Sequence, residues 1–155
     1  MVKKRILVID DNLENLALYR DILAPETAVA SAELNALEFL LFNRKVITGD
    51  ELTFILDLES SGEVACQHLQ DAYSKGDTYD LAFVDMRMPG GWSGLETIGH
   101  LWQHDPDLPV VICSAYSDYN WEEITQRLGH ANLIKILNKP FERQQVLGLA
   151  QSFSA

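Results

Sequence analysis

The strongest constraint on this chain is a set of short apolar runs that each stop on a polar residue. The run Leu81-Ala82-Phe83-Val84 ends at Asp85, and a Pro- and Gly-rich turn follows at once. Arg5 to Ile9 ends at Asp10-Asp11, Val110 to Cys113 ends at Ser114, and Leu133 to Leu137 leads into Asn138-Lys139-Pro140-Phe141. A continuous apolar run of this length reads as a parallel strand buried on both faces. In open α/β sheets, ligands bind at the carboxyl edge of the strands. Three acids, a hydroxyl and a lysine are thereby expected at one edge.

Helical patterns lie between the runs. Asn12 can cap a helix that carries Leu13, Leu16, Tyr19 and Leu23 and ends before Pro25. Leu52 to Leu58 is rich in β-formers and reads as a second strand. Ser60-Ser61 can cap a helix from Gly62 to about Ser74, with Val64, Ala65, Leu69 and Ala72 along it. Leu95 to His104, Trp121 to Leu128 and Glu142 to Phe153 are the remaining helical stretches. The strand–helix alternation predicts an α/β fold, a doubly wound parallel sheet of five strands with helices on both faces. Residues 26–50 interrupt the order, and Ala32 to Asn43 has Leu34, Leu37, Leu40 and Leu41 at helical spacing. An extra helix inserted between the first helix and the second strand is expected there.

The chain of 155 residues is expected to be one domain, 1–155. Its formal charge is −11, from 23 acids against 12 Lys and Arg, and this argues against direct nucleic-acid binding. Lys3-Lys4-Arg5 reads as a solubilising flank. Cys66 and Cys113 lie in a helical and a strand pattern, so both are expected to pack as small hydrophobes. No apolar run approaches a membrane span and no signal peptide is visible, which favours a cytoplasmic protein without membrane contact.

The motifs VIDDN at 8–12, FVDMRMP at 83–89, VVICSAY at 110–116 and NKPF at 138–141 together resemble the receiver domain of two-component response regulators. The resemblance covers nearly the whole chain. It implies the flavodoxin-like strand order 2-1-3-4-5, with the first and third strands adjacent. Asp10, Asp11 and Asp85 then share one pocket, where three carboxylates stay ionised together only beside a cation. Hard oxygen donors with room for water and a phosphate oxygen suit Mg²⁺. The resemblance makes Asp10, Asp11, Asp85 and the backbone carbonyl of Arg87 the metal ligands. It makes Asp85 the phosphoacceptor, and Lys139 and Ser114 the groups that meet the phosphoryl oxygens. The implied donor is a histidine kinase or phosphotransfer protein. The implied target is an output domain or partner, or a second copy in a homodimer.

Two departures stand out. The usual switch aromatic of the family lies three positions before the lysine, where this chain has Ile136. Tyr116, Tyr119 and Trp121 crowd the loop after Ser114 and are candidates to replace it. The turn from Pro89 to Gly94 carries one extra residue, which sets Trp92 over the site mouth or on a partner surface. With the early insertion, this pattern resembles receivers attached to sensor kinases or to cyclic-di-GMP enzymes. A phosphatase or phosphomutase with an aspartate nucleophile is the competing enzymatic reading, but it needs an acid where Arg87 stands. A receiver that binds partners without phosphorylation is the third. The expectation is therefore a signalling module with self-catalysed phosphoryl transfer and slow dephosphorylation.

Overall fold

A computed structural model describes residues 2–23, 52–114, 121–129 and 131–152. The expected inserted helix at 32–43 lies outside these residues, as do Tyr116 and Tyr119. Five strands, β1 (Val2–Ile9), β2 (Leu52–Glu59), β3 (Leu81–Asp85), β4 (Val110–Ser114) and β5 (Ile134–Asn138), form one sheet in the order β2-β1-β3-β4-β5. Every pairing is parallel. The described helices are α1 (Leu13–Leu23), α2 (Gly62–Ser74), α3 (Gly94–His104), α4 (Trp121–Leu128) and α5 (Arg143–Ser152).

The doubly wound arrangement follows from the strand patterns. β3 and β4 are buried at every position, so both of their faces must be covered. Leu7, Ile9, Ala82, Val84, Val110 and Ile112 pack with α2, α3 and α4 through Ala65, Leu69, Ile98, Leu101 and Ile124. The alternate residues Ile6, Val8, Phe83, Val111 and Cys113 pack with α1 and α5 through Leu16, Tyr19, Ile22, Val146 and Ala150. The edge strand β2 alternates instead. Phe54, Leu56 and Leu58 join the α1–α5 layer, while Asp57 on the other face accepts hydrogen bonds from the Tyr79 hydroxyl and Arg5.

Several boundaries differ from the sequence expectation. β1 begins at Val2 rather than Arg5, because parallel pairing to β2 extends through Val2↔Leu52 and carries the charged residues along. Leu133 belongs to a short 3-10 turn, Ala131–Leu133, and the last strand runs from Ile134 to Asn138 in register with β4. Val64 is half exposed on α2, while Ala65, Cys66, Leu69 and Ala72 form its buried face. Ser61 caps α2 by accepting from the Val64 amide at 3.2 Å. Ser93 and Glu96 make a reciprocal capping box on α3. Gly62 lets α2 approach α3 closely, since a Cβ there would fall 2.0 Å from Thr97 Oγ1.

Candidate functional site

The register of the sheet brings the predicted residues together at its carboxyl edge. Ile9 pairs with Val84, so β1 and β3 end side by side and deliver Asp10 and Asp85 to neighbouring positions. One oxygen from each of Asp10, Asp11 and Asp85 lies within 4.8 Å of the others. Asp10 and Asp85 are buried, whereas Asp11 is exposed at the rim. Asp85 pairs with Cys113, and Ser114 follows at the end of β4, also buried. Ser114 in turn pairs with Asn138, and its carbonyl accepts the Lys139 amide at 2.9 Å. That bond ties the strand end of β4 to the loop after β5. Lys139 and Pro140 are joined by a cis peptide bond.

Lys139 reaches across the site. Its Nζ donates to Asp85 Oδ1 at 2.5 Å and lies 4.0 Å from Asp10 Oδ2. Asp10 is further held by the Asn12 amide at 2.9 Å and by Asn15 Nδ2 at 3.1 Å. Asn12 also caps α1, accepting from the Glu14 amide at 2.8 Å. The start of α1 and the orientation of Asp10 are thus fixed by one short segment. Nothing in the local sequence singles out Asn15. Its role depends on where α1 begins, since one helical turn carries it back over Asp10.

The electrostatics are unbalanced. One ammonium faces three carboxylates. Burial pushes the Asp85 carboxyl up to about 6 from 3.8, and Asp10 and Asp11 push the same way against the lowering effect of Lys139. Lys139 loses some basicity to burial, but Asp85 and then Asp10 outweigh this and hold it above its ordinary value. Hard oxygen donors, an excess of negative charge and one open side at Asp11 are the features a small divalent cation requires. The donor set fits Mg²⁺ on these grounds.

The turn after Asp85 is shaped by glycine. Gly94 donates its amide to the Met86 carbonyl at 3.0 Å, and a Cβ on Gly94 would fall 2.4 Å from the Asp85 carbonyl oxygen. Arg87 has an exposed side chain in this turn. Trp92, expected over the site mouth or on a partner surface, is half-buried and stacks on His100 of α3, with ring centroids 3.9 Å apart. The Trp92 amide donates to Glu63 at 3.5 Å. Asp11, Ser61, Glu63, Gly90 and Trp92 line a cleft of about 220 Å³ beside the acids. Ile136 is half-buried against the α2–α3–α4 layer.

An aromatic cluster lies beneath the site, within the α1–α5 layer. Tyr19 is 1% exposed, and its hydroxyl is 2.6 Å from Cys113 Sγ. Its ring lies 5.2 Å from both Phe83 and Phe141. Burial pushes the Tyr19 hydroxyl well above its usual value and the Cys113 thiol up to about 12, so neither ionises near neutrality. Cys113 therefore packs as the sequence suggested, but with a polar partner. The sequence marks Tyr19 only as part of an apolar helix face, because its hydroxyl partner sits 94 residues away.

Residues 42–151 match the family described as response regulator receiver domain. That span contains Asp85, Ser114 and Lys139 and begins after Asp10 and Asp11. No curated protein matches the chain. Among solved structures, the chain is similar to the receiver domain of NtrX from Brucella abortus, with 20% identity, a TM-score of 0.64 and 96% of each chain covered. A second similar structure is NtrX from the same organism in complex with ATP, with 20% identity and a TM-score of 0.63, covering 96% of this chain and 26% of that one. A third is the CheX-CheY-BeF3-Mg+2 complex from Borrelia burgdorferi, with 17% identity and a TM-score of 0.62, covering 96% of this chain and 87% of that one.

Proposed function

The chain belongs to the response regulator receiver family of two-component signalling, and from that premise we propose that it is a Mg²⁺-dependent phosphoacceptor. Asp85 takes a phosphoryl group from a histidine kinase or phosphotransfer protein, and the adduct changes how the domain meets an output domain or partner. The observation that carries this reading is the meeting of three carboxylates within 4.8 Å, with Lys139 donating to one of them at 2.5 Å.

Asp10, Asp11, Asp85 and the Arg87 carbonyl would hold the metal. When bound, Mg²⁺ masks the negative charge of the phosphoryl oxygens and so permits attack by an anion. The chain's residues supply the rest. An Asp85 carboxylate oxygen forms the new O–P bond while the P–N bond to the donor imidazole breaks. Lys139, released from its direct bond to Asp85, faces the charge on the transferring group, and the Ser114 hydroxyl donates to a phosphoryl oxygen. Such transfers are governed mainly by positioning and electrostatic stabilisation. Water later cleaves the acyl phosphate and returns Asp85 to its free form. The doubly charged adduct draws the Ser114 and Lys139 loops inward, which is a local charge event able to bias a two-state arrangement. Attachment to a sensor kinase or a cyclic-di-GMP enzyme, homodimerisation, a cytoplasmic setting and a single domain over 1–155 with an insertion at 26–50 belong to the same proposal.

The test is intact-protein mass after incubation with acetyl phosphate and Mg²⁺. A gain of one phosphoryl group in the parent and none in Asp85→Asn is expected. No gain in a parent shown to be folded and to bind Mg²⁺ would favour a module that binds partners without phosphorylation. Turnover of a generic phosphate ester would instead favour a phosphatase.

A further inference from the structure

The two groups assigned to the phosphoryl oxygens leave the sheet on separate strands, yet their chain neighbours converge on one side chain. Cys113 precedes Ser114, and its Sγ is 2.6 Å from the Tyr19 hydroxyl. Phe141 lies two residues after Lys139, and its ring centroid is 5.2 Å from that of Tyr19. Phe83, two residues before Asp85, packs on the same ring at 5.2 Å. Tyr19 thus touches all three strands or loops that carry the reacting groups, from within the α1–α5 layer. The Lys139 amide also bonds the Ser114 carbonyl at 2.9 Å, which ties the two chain segments together. Ile136 lies on the opposite face of the sheet, an aliphatic side chain half-buried against the α2–α3–α4 layer.

We propose that Tyr19 is a positioning residue for phosphoryl transfer, holding the Ser114 strand end and the Lys139 loop in place through Cys113 and Phe141. The role rests on the phosphoacceptor reading of Asp85. Tyr19 is fully enclosed, and two rings fix its plane, so a shift of either loop must displace it or break a contact. Movement of Ser114 and Lys139 towards a phosphoryl group is then transmitted to α1, and through α1 to α5, which share one apolar layer.

The test measures the first-order rate of Asp85 phosphorylation by acetyl phosphate with saturating Mg²⁺, beside thermal unfolding of each protein. Tyr19→Leu is expected to slow the reaction about ten- to a hundredfold, the scale of a small misplacement of catalytic groups. Tyr19→Phe keeps both ring contacts but loses the hydroxyl contact to Cys113, and its rate is expected to fall between those of the parent and Tyr19→Leu. Phe141→Leu removes the other half of the link at a half-buried position, and it serves if Tyr19→Leu does not fold. The double variant is expected to be no slower than the slower single one, because both remove one shared contact. Amide exchange is expected to rise in peptides around 111–114 and 138–142 in both single variants. Variants that melt lower but phosphorylate at the parent rate would overturn the proposal, as would slowing that multiplies fully in the double variant. A parent that gains no phosphoryl group would overturn the Asp85 reading itself and this role with it.

Discussion

Asp85 is asked to be both buried and anionic, and these demands conflict. Burial raises its carboxyl to about 6 against 3.8 for an exposed one, with Lys139 opposing the shift and Asp10 adding to it. The folded state therefore binds this proton more tightly than the unfolded chain does. Its contribution to stability is full below about pH 4 and is lost as pH rises through about 6. In chelator, Asp85→Asn is expected to be more stable than the parent at pH 7 by roughly 1–3 kcal/mol, and the gap is expected to close near pH 4. Urea unfolding midpoints at the two pH values measure this. Lys139 has the complementary task of supplying a side-chain cation bonded to Asp85. Lys139→Met is expected to slow phosphorylation by about 10²- to 10³-fold, the usual scale for removing a preorganised stabilising donor. A mass-spectrometric time course gives the rate, and the folded fraction is checked by circular dichroism.

At the scale of elements, the site depends on how tightly the β3–α3 turn folds back over the end of β3. Ser93 and Glu96 cap α3, and Gly94 starts it directly against the Asp85 carbonyl. A Cβ on Gly94 would meet backbone atoms at 2.4 and 2.8 Å, which cannot swing aside as a side chain can. Gly94→Ala is expected to cost about 3 kcal/mol, the upper range for overpacking. It is also expected to lower the phosphorylation rate of the protein that remains folded, because the acceptor's own backbone must shift. Denaturant titration and the mass assay read the two effects separately. The elements themselves were largely legible in the sequence. β3 and β4 announced themselves as unbroken apolar runs, and Asn12 and Ser61 as caps. What periodicity did not convey was where pairing begins and ends. Lys3 and Lys4 look like a tail until β2 is available to pair with them, and Leu133 reads as strand until β4 sets the register from Ile134 onward.

At the scale of the whole molecule, charge and metal meet. The chain carries −11 formally, and three of its acids converge on one small region. A divalent ion that binds this folded cluster and not the unfolded chain must stabilise the fold. At a Mg²⁺ concentration 100 times its dissociation constant, the gain is expected to be about 2.7 kcal/mol. Thermal unfolding with Mg²⁺ and with EDTA measures it, and Asp10→Asn is expected to lose most of the increment. No helix among the described residues is long and apolar enough to cross a membrane.

The sequence by itself determined the α/β class, the identity of the strand ends and the residue types gathered there. Those properties are local: an apolar run, the polar residue that stops it and the cap that follows are all read within a few positions. Family resemblance then supplied the strand order. Only the tertiary structure decided that Lys139 bonds Asp85, that Asn15 holds Asp10, that Trp92 stacks on His100 and that Tyr19 joins Cys113 to Phe141. Most of these contacts depend on register between strands or on the packing of a helix over the sheet, and even the five-residue step from Asn15 to Asp10 depends on where α1 starts. Side-chain reach, rather than residue type, determines them, and reach exists only once the layers are assembled.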